Sequence, residues 1–213
     1  MLLLALAAQA ALPAVNGTRL QPGTVCYAIA RGETVMGATL QTVKATTANG
    51  APAWDVVVHQ RVGDKFDLRD HFVLRQKDLA PIAFDSRKSG VEHVRVVYGP
   101  GKLVTTRPGA APVEIALTGP VWEGNLWGLT FAALPLKEGA HFELPFYQYD
   151  KGLGRFRLDV VGSEKVGDRE AWVVETGGDR KVRYLIGKAD HAELGYAGGG
   201  FAQRLGGDCS GIR

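Results

Sequence analysis

No run of basic residues in this 213-residue chain exceeds two, and the pair Arg87-Lys88 is as long as any. A nucleic-acid reader needs a basic stripe interleaved with aromatics. Here the net charge is only +3 and is spread along the chain, which excludes a nucleic-acid partner. Metal motifs are equally scarce. There is no His-Glu-x-x-His and no Cys-x-x-Cys, and His59, His71, His93, His141 and His191 have no partner at ligand spacing. The only serines are Ser86, Ser89, Ser163 and Ser210, and none sits in a Gly-x-Ser-x-Gly elbow. The tail sequence Gly207-Asp208-Cys209-Ser210-Gly211 lacks the architecture that a serine nucleophile needs. The expectation is a protein without cofactor, metal or catalytic set.

Long apolar runs are missing too. The first eight residues are apolar, but Pro13, Asn16 and Gly17 interrupt the run well short of a bilayer span, so the chain does not read as membrane-spanning. Ala8-Gln9-Ala10 is a small-x-small cleavage pattern, and residues 1–10 read as a signal peptide, although no basic residue precedes Arg19. This implies a periplasmic or secreted protein whose single β-rich domain occupies residues 11–213. Cysteine is limited to Cys26 and Cys209. In an oxidising compartment the two can bridge and tie the termini together. Two independent thiols are the alternative, since connectivity is not readable from sequence.

What is present is mostly short alternating segments. Residues 25–30, 35–47, 54–62, 66–74, 80–85, 91–98 and 102–106 read as strands, with Asn49-Gly50 and Gly63-Asp64 as hairpin turns. Residues 13–22 read as a linker, and 86–90 as a polar loop. Phe156, Leu158 and Val160 alternate with Arg155, Arg157 and Asp159, the period of a half-buried antiparallel strand. Further strands fall at 113–117, 142–146, 171–175, 182–186, 192–196 and 201–205, and a loose tail follows.

One stretch, residues 122–145, breaks the pattern. Leu126, Leu129, Thr130, Ala133 and Leu134 share a helical face, and Pro135 ends the helix. A dozen or so strands with one helix and no strand–helix alternation exclude a doubly wound fold. A sheet of that size must curl, split or close. The expected fold is therefore mainly β: a large curled antiparallel sheet, a half-barrel or open barrel, with one short amphipathic helix packed against it.

Trp122, Trp127, Phe131 and Trp172 either line a pocket for a lipid or other apolar small molecule, or form the ordinary core between helix and sheet. Asp70 lies on the apolar side of the strand that carries Phe66, Leu68, Phe72 and Leu74. An unpaired carboxylate there is costly. It either lines a cavity or is relieved by a bulge or an arginine partner. The corresponding functions are a non-catalytic carrier of an apolar ligand and a structural module with a filled core and an envelope protein partner.

Five pieces in order add a resemblance. They are Leu134-Pro135-Leu136-Lys137-Glu138-Gly139, Phe142-Glu143-Leu144-Pro145, Val161-Gly162-Ser163-Glu164, Glu170-Ala171-Trp172-Val173-Val174, and Arg183-Tyr184-Leu185-Ile186 through Asp190. Together they resemble a family of exported bacterial proteins catalogued only as a domain of unknown function, 3108-like. The chain departs from it at Gly167-Asp168-Arg169, where a Gly-Thr-Phe is usual. The resemblance implies a fold similar in outline to periplasmic lipoprotein carriers, whose curled sheet holds acyl chains under a helical lid.

Overall fold

The computed structural model describes residues 12–177 and 181–212, so the expected signal peptide, residues 1–10, lies outside the described residues. Among the described residues the chain forms fifteen strands of one sheet and a single short α-helix. The strands are β1 (Gly23–Arg31), β2 (Thr34–Ala48), β3 (Ala51–Val62), β4 (Phe66–Arg75), β5 (Pro81–Lys88), β6 (Val91–Gly99), β7 (Lys102–Thr106), β8 (Val113–Ala116) and β9 (Trp122–Glu123). The helix α1 (Trp127–Ala132) follows, then β10 (His141–Gln148), β11 (Gly152–Val166), β12 (Arg169–Thr176), β13 (Val182–Gly187), β14 (Glu193–Gly198) and β15 (Phe201–Leu205).

The sheet order is β8-β7-β6-β5-β4-β3-β2-β1-β15-β14-β13-β12-β11-β10-β9. Two antiparallel meanders thus meet where β1 pairs with β15, and β8 and β9 are left as the two ends. Among the described strands only the β9–β10 pair is parallel, and an isolated parallel bridge joins Tyr27 to Gly206. Tight turns fix the register: Asn49 and Gly50 both take positive φ, 50° and 74°, the mirror-image geometry that matches the twist of a two-residue hairpin. β12 lies inside the sheet, and Ala171, Val173 and Val174 are all buried.

The concave side of the sheet is filled. Trp54, Val56, Phe72, Leu74, Phe84, Val94, Val96 and Leu103 from one meander meet Leu144, Leu158, Val160, Val174 and Ile186 from the other, with α1 between them. The helix is shorter than the sequence suggests, and it is not amphipathic. Gly128 through Ala132 are all buried, and so are Leu126, Ala133 and Leu134 around them. A helix that is apolar all round belongs inside a core rather than on its surface. At six residues it is too short to hold itself together and depends on its packing against β13 and β14.

Both terminal segments depart from expectation. Residues 13–22 are no linker. Asn16 caps the short 3-10 turn Gly17–Arg19, its N–H donates to Ala133 O (2.9 Å), and the Trp54 indole N–H donates to Gly17 O (2.9 Å). Val15 and Leu20 are buried with the core, so the segment plugs one end of the curl. The C-terminal tail is not loose either. Cys209 is disulfide-bonded to Cys26, Ile212 is buried, and the Arg61 guanidinium donates to Gly211 O (2.7 Å).

Candidate functional site

Trp127 and Phe131 stand one helical turn apart on α1 and face the strands as a stacked pair, with ring centroids 5.7 Å apart. Trp127 also stacks on Phe156 of β11 at 4.0 Å and meets the edge of Phe146 of β10 at 5.2 Å. Phe131 meets Tyr184 of β13 edge-on at 4.9 Å. Of the five residues expected to line a ligand site, the structure brings together these two. Trp122 lies on β9, with its indole N–H donating to Asp78 O (3.1 Å). Trp172 lies under the ammonium of Lys188, 4.3 Å from its ring centre. Asp70 is elsewhere, on β4 beside β5. Phe131, Ala132, Ala133 and Leu134 have no exposure at all, so the space between helix and sheet is taken up by side chains.

Open space lies instead at the seam between the two sheet ends. Two clefts, of about 550 and 560 Å³, flank residues 117–121, the segment that joins β8 to β9. The first is lined by Leu12, Leu117, Val121, Pro145, Phe146 and Leu153, with Arg155 at its edge. Phe146 connects it to the aromatic cluster, because the same ring touches Trp127.

β8 and β9 do not pair, and polar side chains bridge the seam in place of a backbone ladder. Tyr98 OH donates to Glu123 Oε2 (2.6 Å), and Thr105 and Tyr147 share a hydroxyl hydrogen bond (2.7 Å). The Arg107 guanidinium donates to Tyr149 O (2.8 Å), and His93 Nε2 lies 3.4 Å from Tyr149 OH. Asn125 Nδ2 donates to the other oxygen of Glu123 (2.8 Å) and Gln148 Nε2 to Asn125 Oδ1 (3.1 Å). Burial pushes the Glu123 carboxyl up to about 7, against the pull of its hydrogen bonds from Tyr98 and Asn125. Burial beside Glu123 in turn drives the Tyr98 phenol far above its ordinary value. Desolvation also lowers His93.

Asp70 lies next to this network and is relieved by neither a bulge nor an arginine. Its partner is the hydroxyl of Ser86, which donates to Asp70 Oδ1. Ser86 pairs with Asp70 across β4 and β5 and is wholly buried. The expected loop over 86–90 therefore begins later, because β5 runs on to Lys88. The alternation Phe84-x-Ser86 is the signal for this, with the serine inside. Burial pushes Asp70 up to about 6, partly offset by the Ser86 hydrogen bond.

A third buried carboxyl, Glu193 on β14, carried no sequence signal. It is 7% exposed and lies against Gly128 of α1, and no hydrogen bond or ion pair to its carboxyl group occurs among the described residues. Desolvation alone raises it to about 7. Tyr27 OH donates to the Glu193 backbone oxygen (3.0 Å), not to the carboxyl.

Four of the histidines face carboxylates or a phenol: His59 lies against Asp67, His71 against Asp55 and Asp85, His93 against Tyr149, and His141 against Asp159. His191 keeps a buried ring nitrogen without a partner. Among the described residues no three His, Cys, Asp or Glu side chains are grouped to hold a metal ion, and no helix is long and apolar enough to cross a membrane.

The family described as "Protein of unknown function (DUF3108)" matches residues 25–196 of the chain. The fold is similar to the crystal structure of a β-barrel-like protein of domain of unknown function DUF1849 from Brucella abortus. That likeness has a TM-score of 0.51 at 11% identity and covers 90% of this chain and 96% of that one. No curated protein matches.

Proposed function

Because the chain belongs to the DUF3108 family, whose function is unknown, we propose a role from its geometry: an exported, non-catalytic envelope protein that holds an apolar ligand at the barrel seam. The observation that carries this is the 550 Å³ cleft lined by Leu117, Val121, Phe146 and Leu153, which Phe146 joins to the Trp127 cluster. Its volume suits a small molecule or one acyl chain, with Leu117, Val121, Phe146 and Leu153 offering apolar contacts and Thr118 and Arg155 polar ones. Export is supported by the Cys26–Cys209 bond, which persists in oxidising compartments.

The test is mass spectrometry of an organic extract of purified protein, with titration of a fluorescent fatty acid into the delipidated form. Copurified lipid and saturable binding that Phe146→Ala weakens are expected. No extractable ligand and no binding would remove the reading. The fully buried segment Phe131 to Leu134 favours a second reading, a filled-core module that engages an envelope protein through its sheet ends. Crosslinked pull-down of a partner by a protein that binds no lipid would select it.

A further inference from the structure

The meander places every second hairpin at the same rim of the sheet. The β1–β2, β3–β4, β5–β6 and β14–β15 turns all lie there, since β15 runs antiparallel to β1 with Ala202 opposite Ala30. Each of these tips begins its next strand with an exposed apolar side chain: Val35 and Met36 (65% and 38% exposed), Phe66 (43%), Val91 (70%) and Phe201 (44%). Single exposed apolar residues are ordinary on a protein surface. Their clustering is not: the β7–β8 and β10–β11 turns share this rim and add Val113 (57%) and Leu153 (49%), whereas the opposite rim carries only Leu205 at the end of β15 and Val97 near the 100–101 turn among the described residues.

The four tips are also bound into one edge. The Gly63 N–H donates to Met36 O (3.2 Å), tying β3–β4 to β2, and the Ser89 N–H donates to Asp67 O (2.9 Å), tying β5–β6 to β4. The Arg31 guanidinium lies over the Phe201 ring at 5.8 Å, joining β1–β2 to β14–β15, and Arg204 reaches Gly32 O at 3.3 Å. Exposed cations interleave the apolar tips: Arg31, Lys65, Arg87, Lys88 and Arg204. The exposed acids of these turns are Glu33 and Asp64; Glu92 is taken up by Arg95 (2.6 Å).

We propose that this rim docks on the surface of an anionic lipid bilayer, with the apolar tips entering the headgroup boundary and the cations meeting lipid phosphate. Short apolar insertions add to the attraction between basic residues and anionic lipid, and each neighbouring cation adds a comparable increment. The inference stands apart from the ligand reading, because a rim can hold to a bilayer whether or not the seam cleft is filled.

The test is cosedimentation of the purified protein with vesicles of phosphatidylglycerol and phosphatidylcholine, against phosphatidylcholine alone, at low and high salt. Preference for the anionic vesicles, weakened by salt, is expected. Lys65→Gln with Lys88→Gln should reduce partitioning by about thirtyfold, roughly fivefold for each cation. Phe66→Ser with Val35→Ser should reduce it as well, while Lys77→Gln with Lys137→Gln at the opposite rim should leave it unchanged. The tip positions are exposed, so folding is checked by an unaltered thermal midpoint. Three results would overturn the proposal: no preference for anionic vesicles, tip variants that partition like the wild type, or an opposite-rim variant that loses as much. A dimer that the tip substitutions convert to monomer would overturn it too, by making the rim a self-association face.

Discussion

Gly128 of α1 rests directly on the carboxyl group of Glu193. A Cβ built at 128 would stand 2.0 Å from the Glu193 carboxyl carbon and 2.1 and 2.2 Å from its two oxygens. The glycine is therefore set by packing. Alanine favours helices by about 1 kcal/mol over glycine, but here it must displace a buried acid with little room to move. Overpacking of this kind costs roughly 1–3 kcal/mol. Gly128→Ala should lower the urea midpoint, and adding Glu193→Ala should recover most of the loss by opening the space. A Gly128→Ala protein as stable as wild type would show that the helix does not lie this close to β14.

The protonation of Glu193 makes stability fall as pH rises. Its pKa is raised from 4.5 to about 7, so the folded state binds a proton more tightly than the unfolded chain between those values. Stability from this group is fully present below about 4.5 and is lost as pH climbs through about 7. A shift of that size corresponds to about 3 kcal/mol. Glu193→Gln removes the titration, so it should raise the thermal midpoint at pH 8 and change it little at acidic pH. Glu123 is raised to about 7 by the same cause, so the variant should keep part of the wild-type slope. Equal gains at both pH values would mean that the carboxyl is not desolvated.

The bond between Cys26 and Cys209 spans 183 residues of sequence and closes almost the whole sheet into one loop. The chain-entropy treatment gives about 5 kcal/mol for a loop of this length, with measured losses commonly nearer 2–5 kcal/mol. Cys26→Ser with Cys209→Ser should lower the urea midpoint and raise the m-value, because the unlinked denatured chain exposes more surface. Reductant should destabilise the wild type and leave the double variant unaffected. The tail that carries Cys209 also buries Ile212, so Ile212→Ala should destabilise the wild type but add little once the bond that holds the tail is gone.

These properties differ in how far the sequence discloses them. The strands are legible because one side of each faces the core and the other water, as Phe156, Leu158 and Val160 show against Arg155 and Arg157. The turn residues punctuate them, with Asn49-Gly50 the plainest case. The helix is legible in its apolar spacing, but that spacing implies a solvent face it does not have: Phe131 and Ala132 lie off the stripe, yet both are wholly buried. Trp122-Glu123 could not be read as a strand, since two residues show no period. Nor could Glu193 or Glu123 be read as buried, because the desolvation comes from elements distant in sequence, α1 over one and Tyr98 beside the other. The segment 13–22 reads as a linker because its proline and glycine residues mask the burial of Val15, Gly17 and Leu20.

The seam supplies the last expectation. With no backbone pairing between β8 and β9, the join rests on side-chain contacts, and Tyr98 OH to Glu123 Oε2 at 2.6 Å is among the shortest of them. Tyr98→Phe keeps the ring against Tyr147 but leaves a fully buried carboxyl oxygen without its donor, at a cost of about 1–3 kcal/mol. Since that hydrogen bond also holds the Glu123 carboxyl down, its loss should push the group still higher and steepen the fall of stability with pH. Glu123→Gln presents an acceptor that needs no charge, so the double variant should cost less than the sum of the two singles, and the difference measures the pair. The effect should be local. Amide hydrogen exchange of Glu123, Gly124 and Tyr147, in the β9–β10 pair beside the seam, should accelerate in Tyr98→Phe well before that of Val56 or Phe72 in the sheet centre. Uniform acceleration across all fifteen strands would mean that the seam is no weaker than the rest of the sheet and opens only when the whole fold does.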